Sequence, residues 1–144
     1  MNKNKILEKE IEARNFNRGG QVSSKLKTAL TRLGIIPEVI RKTAIITYEL
    51  EMNIIIHSNG GRIVVKIDKD EILITARDRG PGIRDVKKAL KPGYSTAEEK
   101  VREMGFGAGM GLNNVREYSD FLEINTEVDS FTEVRTSIKL SSEE

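Results

Sequence analysis

The chain has 144 residues, 38% apolar, 32% charged and only 5% aromatic, which predicts one domain with a real core rather than a disordered chain. Lys and Arg total 24 against 22 for Asp and Glu, and this near balance, with few aromatics, excludes a basic nucleic-acid binder. The absence of cysteine excludes disulfides, thiolate metal sites and thiol catalysis, and a single histidine, His57, excludes a multi-histidine metal centre.

The start, Met1 to Glu12, is polar and lacks the apolar stretch of a signal peptide. Nowhere is there an apolar run long enough to span a bilayer, so the expectation is a soluble cytoplasmic protein with no membrane partner. Ile6–Ala13 reads as a first strand, followed by the breaker Gly19-Gly20. Val22, Leu26, Ala29, Leu30 and Leu33 then follow helical spacing, and Gly34 stands where a C-terminal cap belongs. Pro37 falls in the first turn of a second helix, Glu38–His57, where a missing N–H costs nothing. Asn59-Gly60-Gly61 ends it. Arg62–Ile67 and Ile72–Arg77, joined across Asp68–Glu71, read as a hairpin. After a helical segment, Leu112–Tyr118, a second hairpin pairs Phe121–Thr126 with Thr132–Leu140. In that last run Val134, Ile138 and Leu140 alternate with Glu133, Ser137 and Lys139, so one face is buried. The pattern predicts an α+β two-layer sandwich, a mostly antiparallel mixed sheet covered on one face by helices.

The second helix is apolar on nearly every side, which predicts burial between layers. Glu49, Asn53 and His57 recur every four residues and form one polar line along it, with Glu49 and Asn53 about 6 Å apart axially at roughly 1.5 Å per residue. Such groups on a buried helix must be paired, or face solvent or a ligand. One reading is a solvated strip, with His57 an ordinary helix-end residue. The other is a magnesium-nucleotide site: the Asn53 amide oxygen is a hard ligand suited to Mg²⁺, and Glu49 suits orienting or deprotonating an attacking hydroxyl.

Of the 12 glycines, seven lie between Gly80 and Gly111, a density no core requires. Asp78-Arg79-Gly80-Pro81-Gly82 closes the first hairpin. It is either an ordinary turn or a site where a strand-end carboxylate accepts from an exocyclic amine such as adenine's. Gly105-Phe106-Gly107-Ala108-Gly109-Met110-Gly111 leads into a helix. It is either a flexible loop or a phosphate cradle of free N–H groups at a helix N-terminus. It is not a P-loop, because no Gly-Lys-Ser/Thr follows, and no strand precedes it as a dinucleotide fingerprint demands.

Glu49-x-x-x-Asn53-x-x-x-His57, Asp78-x-Gly80-x-Gly82 and Gly107-x-Gly109-x-Gly111, in that order, resemble the N, G1 and G2 boxes of the GHKL superfamily. This is the Bergerat-fold ATP-binding domain of gyrase, Hsp90 and histidine kinases. With Pro92-Gly93-Tyr94-Ser95-Thr96, the chain is most similar to the bacterial anti-sigma regulatory factor/serine-protein kinase group. The resemblance covers about Ile35 to Leu140 and implies a single ATP-binding domain over 1–144, with an ATP lid at 91–108.

It further implies ATP or ADP with Mg²⁺ as cofactors, Asn53 on the metal and Glu49 as catalytic base. Asp78 would read adenine, with Gly80 and Gly82 as its turn, while Gly107, Gly109 and Gly111 would contact phosphates. Ser95 and Thr96 open the lid, where Lys100 and Arg102 are γ-phosphate candidates or merely solvated cations. Thr132 falls where the family lines the adenine pocket, with Phe131 in place of the usual glycine. The implied function is an anti-sigma-factor-like serine/threonine kinase that phosphorylates a small antagonist and regulates transcription by partner switching. The alternative is a nucleotide-dependent binding module without phosphotransfer. The implied partners are an anti-anti-sigma (STAS-type) protein, a sigma factor, or both, and a second copy of the chain in a homodimer. A histidine kinase fits less well, since the only histidine lies inside the N-box. Met1 to Gly34 has two readings: it covers the sheet and completes the sandwich, or it docks a partner.

Overall fold

The computed structural model describes residues 3–91 and 111–141. In chain order these form β1 (Asn4–Ile11), α1 (Gln21–Arg32), α2 (Pro37–His57), β2 (Gly61–Ile67), β3 (Glu71–Arg79) and a short α3 (Val86–Ala89). Then follow α4 (Gly111–Tyr118), β4 (Phe121–Glu127) and β5 (Phe131–Lys139). The five strands make one sheet in the order β1-β2-β3-β5-β4, and every described pairing is antiparallel.

Alternation within the strands divides the sheet into two unlike faces. Ile63, Val65, Ile72, Ile74, Ala76, Val134 and Ile138 are buried together with the apolar residues of α1 and α2. Exposed neighbours on the strands carry charge, and cross-strand pairs such as Arg62–Glu10 at 2.6 Å and Arg77–Glu133 at 3.4 Å tie them together. Each such surface pair is worth only about 0–1 kcal/mol, so the apolar layer carries the stability. The turn at Asp68 is fixed by its own side chain, whose Oδ1 accepts from the N–H groups of Asp70 and Glu71. Lys3 reaches Oδ2 at 2.7 Å, and these contacts hold the Asp68 carboxyl down at about 2.

The first strand ends two residues earlier than its polarity predicts. Arg14 adopts φ +64 and donates its N–H to the Ile55 carbonyl, which turns the chain away from the sheet, while Ile11 already pairs with Gly61, the first residue of β2. Val22, Leu26 and Leu30 of α1 are fully buried, so residues 3–34 contribute a paired strand and a packed helix to the sandwich.

The sequence pattern gave no sign of how α1 begins. Its N-cap is Gly20 at φ +94, which offers no side chain. Glu51 of α2, 1% exposed, supplies the missing acceptor: Oε1 accepts from the N–H groups of Gly20 and Val22 at 3.1 and 3.2 Å. One buried carboxylate thereby caps a neighbouring helix. Burial raises its pKa above the usual carboxylate range, against the pull of those N–H groups.

Candidate functional site

The helix α2 is held on three sides and half-open along one line. Its buried threonines, Thr43 and Thr47, satisfy themselves by donating to carbonyls one turn back, so they need no partner outside the helix. Glu49, Asn53 and His57, in contrast, are half-buried, as the four-residue spacing predicts.

The first of these faces α4. Asn114 donates from Nδ2 to Glu49 Oε2 at 2.9 Å. One turn further along α2, a Cβ added to Gly111 would stand 3.0 Å from Asn53 Oδ1. The N-terminus of α4 is therefore packed on the Asn53 amide, at a separation that only glycine meets without displacement. Glu49, Asn53 and Gly111 are thus brought together from separated parts of the sequence.

A second cluster forms at the end of β3. Asp78 is half-buried, and its Oδ1 accepts from the Thr132 N–H at 3.1 Å across the β3–β5 ladder. No other hydrogen bond to this carboxylate occurs among the described residues. Burial pushes its pKa up, partly opposed by the Thr132 N–H. Gly82 has φ +75, and a Cβ there would lie 2.4 Å from the Glu127 carbonyl oxygen, so this turn needs glycine for conformation and for space. Ser58, just past the end of α2, lies against Gly80, where an added Cβ would be 2.9 Å from its own. That contact joins the second cluster to the helix carrying the first.

Thr132 is buried at 8% exposure, with its hydroxyl 2.9 Å from that of Thr126. Thr126 had no signal in the sequence, yet it also accepts from the Ile83 N–H and donates to the Phe131 carbonyl, fastening the exit of the glycine turn to β5. Gly61 was also missed. It reads as part of a helix-ending Asn-Gly-Gly, but it pairs with Asp78, and a Cβ there would come within 2.3 Å of the Arg77 carbonyl oxygen. A polar cleft of about 370 Å³ borders the same turn, lined by Arg14, His57, Ser58, Asn59, Gly80, Pro81 and Asp129. Neither Asn53 nor Asp78 lines it. Ser95, Thr96, Lys100, Arg102, Gly107 and Gly109, and all but the first residue of the 91–108 segment, lie outside the described residues.

The donor set suits a magnesium nucleotide. The Asn53 amide oxygen is a hard ligand with the Glu49 carboxylate one turn away on the same helix, and Mg²⁺ takes few ligands from protein because water and phosphates supply the rest. Among the described residues no group of three or more His, Cys, Asp or Glu could hold a metal by itself. No described helix is long and apolar enough to cross a membrane.

Residues 39–142 match the family model of the histidine kinase-, DNA gyrase B- and HSP90-like ATPases. The chain is 32% identical over 91 residues to the serine/threonine-protein kinase RsbT of Bacillus subtilis, covering 60% of this chain and 62% of that one. It is 32% identical over 107 residues to an anti-sigma F factor of Clostridium perfringens, covering 70% and 71%. An anti-sigma F factor of Heyndrickxia coagulans is 35% identical over 68 residues, and there the chain spans only 43% of the relative's length. In three dimensions it resembles a chain of the SiaB–SiaC complex of Pseudomonas aeruginosa, with a TM-score of 0.65, 13% identity and coverage of 93% and 89%.

Proposed function

The chain belongs to the histidine kinase-, DNA gyrase B- and HSP90-like ATPase family, and from that premise we propose that it is an ATP-dependent serine/threonine protein kinase of the anti-sigma-factor type. Its substrate is a small antagonist protein of the STAS type, and its output is control of a sigma factor by partner switching in the cytoplasm. The relatives named serine/threonine-protein kinase and anti-sigma F factor support this reading. The single observation that carries it is the packing of Gly111 on Asn53, with Glu49 one turn away on the same helix.

In this reading Asn53 would hold Mg²⁺ through its amide oxygen, and Asp78 would accept from the exocyclic amine of adenine beside Thr132. Gly107, Gly109 and Gly111 approach the phosphates with bare backbone. Ser95 and Thr96 open a lid over 91–108 that carries Lys100 and Arg102. The bound magnesium nucleotide supplies an activated phosphoryl group with its charge partly neutralised. Glu49 takes the proton of the attacking serine or threonine hydroxyl as the O–P bond forms and the bond to ADP breaks. A positioned base of this kind contributes about 10²–10⁴-fold.

Incubation with γ-labelled ATP, Mg²⁺ and STAS-type proteins from the same genome tests the proposal. The expected result is label on a serine or threonine of one of them, lost in Glu49→Gln. A tight ATP-dependent complex with no transfer to any candidate supports the binding-module alternative instead. Light scattering with and without ATP tests the homodimer, for which a strictly monomeric mass leaves only partner complexes.

A further inference from the structure

Asn114 belongs to none of the three glycine or asparagine boxes, yet it makes the only hydrogen bond to the Glu49 carboxylate among the described residues, Nδ2 to Oε2 at 2.9 Å. We propose that Asn114 is a positioning residue: its amide holds the Glu49 carboxylate in one orientation and couples it to the helix that meets the phosphates. The proposal rests on the reading of Glu49 as the base given above.

The chemistry of the pair admits one polarity. An ionised carboxylate only accepts, so the Asn114 amide must present its N–H, and the bond engages Oε2 while Oε1 takes no hydrogen bond from the described residues and is left to face an attacking hydroxyl. A half-exposed glutamate with three side-chain torsions otherwise samples many orientations, and fixing it costs side-chain entropy, which a pre-formed bond has already met. The mount is rigid. Val115, the next residue, is fully buried in the core, and near the other end of α4 the Arg41 guanidinium stands over the Tyr118 ring at 5.6 Å. The backbone that carries Asn114 is therefore placed by the seating of α4. At its N-terminus the same helix packs Gly111 on Asn53. Base and metal-holding amide are thus referenced to one helix, and an error of 1 Å in such an arrangement costs about 10²-fold in rate.

The test uses the full chain and phosphate release from Mg-ATP, with water in place of the protein hydroxyl. Glu49 takes a proton from water, the water oxygen bonds to the γ-phosphorus, and the bond to ADP breaks. Four proteins are compared: wild type, Asn114→Leu, Glu49→Gln and the double variant, with Mg-ATP affinity measured for each by calorimetry. Leu matches Asn in size and lacks the donor. Asn114→Ala, which favours the helix, serves if Asn114→Leu misfolds.

The expected result is a fall in turnover of at least about tenfold in Asn114→Leu, with affinity within about twofold of wild type and no further loss when added to Glu49→Gln. Turnover within about twofold of wild type overturns the proposal, as does an equal loss on both backgrounds, which would mark a packing role independent of Glu49. Where the wild type releases no phosphate, the same four proteins are compared by label transfer to the STAS-type substrate; a wild type that binds Mg-ATP and does neither overturns the phosphotransfer reading, and with it any base to position. The two failures are distinguished by whether the wild type is active.

Discussion

Replacing Asp78 with Asn separates what this carboxylate does for the fold from what it does for a ligand. The variant keeps an oxygen where Oδ1 accepts from the Thr132 N–H, so the β3–β5 pairing at that position is preserved. At the other position an acceptor becomes an N–H₂ donor, which in the proposed adenine role would meet the exocyclic amine with a second donor. A hydrogen bond to a charged acceptor is worth about 1.5–3 kcal/mol, so the expected loss of nucleotide affinity is about 10–150-fold. Stability moves the other way. Burial raises the Asp78 pKa, so the ionised carboxylate is disfavoured in the folded chain, and the amide relieves that penalty. The sign follows from linkage: a raised pKa means the folded chain binds the proton more tightly, so the nucleotide-free protein gains stability as pH falls through the raised value. If Asp78 reads adenine as proposed, nucleotide binding is expected to weaken over the same window. Calorimetric titration with Mg-ADP and thermal unfolding at neutral pH read both quantities. Affinity within about twofold of wild type would refute the adenine role, and a lowered Tm would refute the account of the carboxylate's burial.

Glu51→Ala leaves the Gly20 and Val22 N–H groups without their acceptor and is expected to cost about 2–4 kcal/mol in urea unfolding. Glu51→Gln keeps an acceptor and discards a charge whose pKa burial raises, so it should match or exceed wild type at neutral pH; a fall as deep as that of Glu51→Ala would contradict the cap. Gly82→Ala forces a left-handed residue and a clash with the Glu127 carbonyl, with an expected loss of about 1–3 kcal/mol by the same measurement. For Asp68, held at about 2 from an ordinary 3.8, the stabilising contribution is present above the ordinary value and lost as pH falls toward 2. Circular dichroism should show that acid loss blunted in Asp68→Asn; an unchanged acid transition would remove Asp68 as its source.

The elements themselves were legible along the chain because burial leaves a local trace. Val22, Leu26 and Leu30 recur at helical spacing because one stripe of α1 meets the core, and Val134, Thr136 and Ile138 alternate because one face of β5 does. Ordered motifs with glycine at set intervals likewise announce a nucleotide fold, since close backbone approach excludes side chains wherever it occurs. Partnership leaves no such trace. That Glu51 caps a helix whose N-cap lies thirty-one positions earlier, or that Asn114 reaches Glu49 across sixty-five, depends on which elements pack and at what register. Gly61 looked like punctuation after a helix until strand pairing set it against Asp78. Periodicity reports whether a residue is covered, because coverage repeats with the element's own geometry. What covers it is settled only when distant segments meet, and there the polar contacts of this site are made.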